Sequence, residues 1–164
     1  MIRKSAFPPV VAADTRVLIL GSLPGDASLA AGRYYAHPRN RFWHLTGAVI
    51  GREDLPDLAY ETRLAALLAA GVGLWDSIAS AHRPGSLDTA IRDAEAAPLH
   101  DLIGTLPHLR AVAFNGARSA AIGRRALAGT PLELIDLPSS SPAHAAMAYA
   151  VKRDLWLKLQ HFLA

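Results

Sequence analysis

The sequence predicts an α/β fold, a three-layer αβα sandwich around a central four-stranded parallel sheet, and three observations carry that prediction. Four short, nearly continuous apolar runs recur along the chain, helical patterns separate them, and the unusual polar residues cluster just after the runs. An apolar run without alternation marks a strand buried on both faces. Strands alternating with helices imply a parallel sheet covered on both sides. At 164 residues the chain fits one domain, taken here as 1–164.

The first run is Arg16–Gly21 (RVLILG), bounded by a Gly-Ser-Leu-Pro-Gly turn. Helical patterns follow over Arg41–Ile50 and Glu61–Ala70, and the second run is Gly71–Trp75 (GVGLW). A pattern over Leu99–Leu106 precedes the third run, Arg110–Phe114 (RAVAF), and one over Ala117–Leu127 follows it. Leu132–Leu137 (LELIDL) is the fourth run, and a longer amphipathic stretch, Ala143–Phe162, closes the chain. Right-handed crossovers bring the loops after the strand C-termini to one edge, where ligands bind in such folds. Those loops are Gly21–Asn40, Asp76–Leu87, Asn115–Gly116 and Pro138–His144.

Composition narrows the chemistry. The absence of cysteine excludes disulfides, thiolate zinc sites and a catalytic thiol. Hydrophobic residues make up 51% of the chain, yet no run is long enough to span a bilayer. Met1–Pro9 reads as a short basic lead without an apolar signal core, so a cytoplasmic protein is expected. Only Lys4, Lys152 and Lys158 among the 17 basic residues are lysines; the net charge of +3 permits nucleic-acid binding without establishing it. His82, His100, His108 and His161 lack ligand spacing, so no metal site is expected. Dinucleotide and NTP fingerprints are absent too.

Two loops stand out. In Gly21–Trp43, Gly21 and Gly25 allow close backbone approach, Tyr34 and Tyr35 could stack a planar base, and His37, Arg39, Asn40 and Arg41 add donors and positive charge. The alternative is a structured loop whose Asn40 caps the next helix. In Leu137–Ala145 (LPSSSPAHA), consecutive serines ahead of a helix suit a phosphate, unless they are an ordinary Ser-Pro helix start. Asp76 lies just past a strand end, where its carboxylate or protonated form could bond a base edge or simply face solvent. Asn115-Gly116 is a common turn dipeptide.

GSLPG, YAHPRNRFW, GLWD and LPSSSPAH, in that order, resemble the motifs of the uracil-DNA glycosylase superfamily. The chain departs from the uracil branches at Leu23, where they carry asparagine or a water-activating aspartate. It departs again at Leu137, where they carry histidine or asparagine, and at Ser141, where a leucine wedge is common. The combination resembles the hypoxanthine branch, which removes deaminated adenine. By that resemblance Asn40 is the catalytic residue and Tyr35 stacks on the flipped base. Gly21, Ser22 and Leu23 meet the base edge through backbone groups, with Asp76 as a base-reading polar residue. Ser139, Ser140 and Ser141 would hold phosphates with His37 beside them, and His144 would fill the vacated stack or hold a phosphate. With no lysine in a motif loop, a monofunctional enzyme leaving an abasic site is expected. It would act on damaged DNA as a monomer, with no cofactor, metal or membrane. A uracil or mismatch glycosylase and a non-catalytic lesion-binding protein are the competing readings.

Overall fold

The computed structural model describes residues 3–164; Met1 and Ile2 of the basic lead lie outside the described residues. The central sheet is parallel and built from β2 (Val17–Gly21), β3 (Val72–Asp76), β6 (Ala111–Asn115) and β7 (Glu133–Leu137), in the order β3-β2-β6-β7. These are the four apolar runs, shifted by about one residue. Side chains alternate across a strand, so β2 feeds two cores. Val17 and Ile19 pack on one face with Phe42, Leu45, Leu67 and Trp156; Leu18 and Leu20 pack on the other with Leu99, Val112, Phe114 and Leu127. Full burial on both sides is why the run shows no polar alternation.

Helices α2 (Phe42–Ile50), α3 (Tyr60–Ala69) and α6 (Tyr149–Trp156) supply the first face, and α4 (Leu99–Ile103) and α5 (Ala117–Ala126) the second. The chain leaves central β2 first for β3 on one side and later for β6 on the other. The strand order therefore reverses beside β2, and a crevice opens at the carboxyl ends there.

Three expectations need correction. The first loop contains a short helix, α1 (Asp26–Ala31), stopped by Gly32 in the left-handed conformation at φ 65°. The second loop is largely not a loop. After one buried residue, Ser77, the chain enters β4 (Ile78–His82), which pairs antiparallel with β5 (Arg92–Ala96) and with β1 (Arg3–Ser5). Part of the basic lead is thus an edge strand of a second, three-stranded sheet. Finally, the closing helix begins only at Tyr149 and continues after Trp156 as a 3₁₀ segment, Leu157–Phe162. Ser139 Oγ accepts from the Ser141 N–H (3.1 Å) and Ser141 Oγ from the Ala143 N–H (3.1 Å). These local bonds and Pro142 turn the chain before a helix can start. The serine run is therefore separated from the helix by an irregular stretch.

Candidate active site

A cleft of about 840 Å³ opens at the carboxyl edge of the parallel sheet. All four strand ends reach it, through Gly21, Asp76, Asn115 and the loop after Leu137, as do Tyr35 and Asn40.

Gly21 sets the depth of the cleft floor. A Cβ there would lie 2.7 Å from Asp76 Oδ1 and 2.9 Å from the Tyr35 hydroxyl, so any side chain would push these groups apart. Asp76 is 3% exposed, and its Oδ2 is buried with no hydrogen-bond partner among the described residues. Burial raises its pKa to about 7; the Arg83 guanidinium pulls the other way and Asp88 adds to the rise. Near neutral pH the carboxyl group can therefore donate a proton as well as accept one.

The two tyrosines separate in role. Tyr34 is core: it is 4% exposed and its hydroxyl donates to the Pro8 carbonyl at 2.9 Å. Tyr35 lines the cleft with φ at 52°, a conformation that non-glycine residues seldom adopt. It is held there by the Trp43 indole N–H, which donates to its carbonyl (3.1 Å), and by stacking on Phe42 at 3.7 Å and 7°. Phe42 covers one face of the ring. Burial, and then the nearby Asp76, push the phenol well above its ordinary value, so it remains a neutral donor.

Asn40 lines the cleft one residue ahead of Arg41, the N-cap of α2. Its Oδ1 accepts from the Phe42 N–H at 3.0 Å at the start of α2. The helix uses the acceptor end of the amide, and the Nδ2 donor end remains for a ligand in the cleft that Asn40 lines. His37 Nδ1 accepts from the Arg39 N–H at 3.1 Å, which leaves Nε2 to carry the proton.

Ser140 and Asn115 form a reciprocal pair that sequence reasoning passed over. The Ser140 N–H donates to Asn115 Oδ1, and Asn115 Nδ2 donates to Ser140 Oγ, both at 2.9 Å. The Ser140 carbonyl accepts from the Arg41 N–H at 3.0 Å. Ser140 is 1% exposed, so it anchors the loop internally, while Ser139 and Ser141 are half-buried beside it on the cleft wall. His144 is half-buried on the same wall, and its carbonyl accepts from Lys152 Nζ at 3.1 Å. That lysine is buried under the loop.

Ser22 and Leu23 also line the cleft, with their side chains engaged within the protein. Ser22 Oγ donates to Asp88 Oδ1 at 2.6 Å, and Leu23 packs with Ile78, Ala81 and Ile91. The apolar residue in place of a polar one thus roofs the second sheet. Arg83, also unforeseen, is 1% exposed and donates to the carbonyls of Leu23 (3.5 Å) and Pro24. Asn115 was visible as a strand-end residue, whereas nothing local in the sequence marks Arg83 as buried.

The family model of the uracil DNA glycosylase superfamily matches residues 8–160. A Hypoxanthine DNA glycosylase of Methanosarcina barkeri is 46% identical over 118 residues, 72% of this chain and 74% of that protein. A Hypoxanthine DNA glycosylase of Methanosarcina acetivorans is 43% identical over 141 residues, 86% of this chain and 88% of that protein. The solution NMR structure of a Methanosarcina acetivorans protein proposed to be a uracil DNA glycosylase superposes with a TM-score of 0.87. It is 37% identical, with 98% of this chain and 99% of that chain covered.

Proposed function

The chain belongs to the uracil DNA glycosylase superfamily, and from that premise we propose that it is a monofunctional DNA glycosylase that excises hypoxanthine. The observation that carries the substrate choice is the cleft floor. Its first-loop position holds a buried leucine rather than a water-activating carboxylate, while a carboxyl group able to stay protonated, Asp76, sits beside the stacking ring. The two curated relatives bearing the hypoxanthine name support the same choice.

In the proposed reaction the deoxyinosine is first turned out of the duplex, which costs a few kcal/mol and least for a mispaired base. The base stacks on the face of Tyr35 opposite Phe42. Cleavage of the bond between C1′ and N9 leaves a cationic sugar and an anionic base; water adds to C1′, and the base departs protonated. A fixed donor is worth most where that negative charge develops. Protonated Asp76 can donate to O6 or a ring nitrogen of hypoxanthine, whereas its ionised form would repel the leaving charge. The Asn40 amide N–H supplies a second donor. Asn40 is no general base, so uracil turnover should be low.

Ser139, Ser141, His37 and exposed Arg118, all at the cleft, are suited to the flanking phosphates. Ser140 and Asn115 hold that wall in place. No helix among the described residues is long and apolar enough to cross a membrane. We take the chain to act as a cytoplasmic monomer without metal or cofactor, and Lys152, absent from the cleft lining, to form no adduct with the sugar.

Duplexes carrying one deoxyinosine, xanthosine, deoxyuridine or mismatched thymidine, treated with alkali after incubation, test the reading. Cleavage fastest at deoxyinosine is expected. Faster cleavage at deoxyuridine, or an adduct trapped by borohydride, would overturn the substrate or the monofunctional assignment respectively.

A further inference from the structure

Turning a nucleotide out of the stack leaves a gap, and an apolar side chain inserted between base steps can hold it open. The loop Pro138–His144 offers no large apolar side chain for that purpose. Across the cleft, the connection between β4 and β5 does. Leu87 is 56% exposed and lines the cleft. Among the described residues the other large apolar residue of comparable exposure, Val151 at 51%, is on α6 and not among those lining the cleft.

An exposed leucine alone means little. This one is held out by its surroundings. Lys4 Nζ donates to the Gly85 carbonyl at 2.6 Å, and the Asp26 N–H donates to Ser86 Oγ at 2.8 Å. Ser22 Oγ donates to Asp88 Oδ1 at 2.6 Å, and the Leu87 carbonyl itself accepts from the Ala90 N–H at 3.0 Å. Residues on both sides of Leu87 are thus tied to the N-terminal segment, to α1 and to the first-loop turn. Nearby Ile91 joins Leu23, Ile78 and Ala81 in a buried apolar cluster, yet Leu87 does not.

We propose that Leu87 is the wedge, inserted into the duplex from the β4–β5 connection to fill the space the flipped nucleotide vacates. The proposal rests on the base-excision reading and adds a residue from a segment that the family motifs do not include. A wedge acts on the stack and not on the bond being broken, so its loss is repaired by anything that fills the gap. Leu87 is a positioning residue in this sense.

The test compares wild type, Leu87→Ala and Leu87→Met in single-turnover excision of deoxyinosine opposite thymidine. Leu87→Ala should be slower by about tenfold or more, and Leu87→Met should stay close to wild type. A pyrene nucleotide opposite the lesion should restore Leu87→Ala and leave Asn40→Ala inactive. An unchanged rate in Leu87→Ala overturns the proposal. So does a slow variant that pyrene fails to restore, which would make Leu87 a wall of the base pocket. Fluorescence of 2-aminopurine beside the lesion reads insertion without excision: a rise with wild type but not with Leu87→Ala supports the wedge, and equal rises overturn it. Wild type that opens the stack without releasing base would instead refute the excision reading.

Discussion

Replacing Asp76 by asparagine should make the protein more stable, and only above acidic pH. The folded carboxyl titrates at about 7 because it is buried, against a reference value of 3.8. Between those values the folded protein keeps a proton that the unfolded chain releases, so stability falls as pH rises through the window and levels off above it. Three units at about 1.36 kcal/mol each amount to a cost of about 4 kcal/mol. Asp76→Asn has nearly the same shape and nothing to ionise. The two proteins should therefore unfold alike in urea near pH 4, with the variant ahead by up to about 4 kcal/mol at about pH 8. Excision should follow the same proton. The wild-type rate should decline as pH rises through about 7, and the variant, which retains an amide donor, should lack that limb. A stability difference independent of pH would refute the buried-acid account. Coincident rate profiles would refute the assignment of Asp76 as a neutral donor to the base.

Two further expectations follow from the bonds around the cleft. Asn40→Asp keeps an acceptor for the Phe42 N–H and so should hold its melting temperature, whereas Asn40→Ala should lose about 0.5–1.5 kcal/mol with that hydrogen bond. Both should lose excision, and an active Asn40→Asp would show that the position needs an acceptor rather than the amide N–H. Arg83→Met removes the positive charge that holds Asp76 down, so the alkaline limb of the rate profile should move to higher pH; a limb that stays put or moves down would contradict the coupling. The same change leaves buried carbonyls unpaired and should cost about 1–3 kcal/mol in urea.

The parallel sheet was legible because its strands are buried on both faces and so announce themselves as apolar runs. The second sheet was not, for the opposite reason. β5 reads RDAEA and is exposed throughout, and β4 mixes Ser, Ala and His. The edge of that sheet is closed by a partner distant in sequence, with Arg3 opposite His82. The motif residues Tyr35, Asn40 and Asp76 do converge on one cleft, as strand-end placement implied. The sequence could not divide Tyr34 from Tyr35, because the division depends on the left-handed backbone at Tyr35 and on Phe42 beneath it. Nor could it show that Ser140 is buried while its two serine neighbours on the same cleft wall are half-buried. That difference comes from Asn115, contributed by another strand.

The bonds centred on Ser140 also have a mechanical consequence. Its carbonyl meets the Arg41 N–H while its N–H and hydroxyl meet Asn115, so the loops after β2 and β7 and the end of β6 share one junction. A phosphate pressing on the serine loop would be resisted by the stiffness of the first loop and the sheet together, not by a hinge of its own. Strain imposed by bent DNA would be carried through that junction toward Asn40 and Tyr35, so the grip on the backbone and the seat of the base yield or hold as one body.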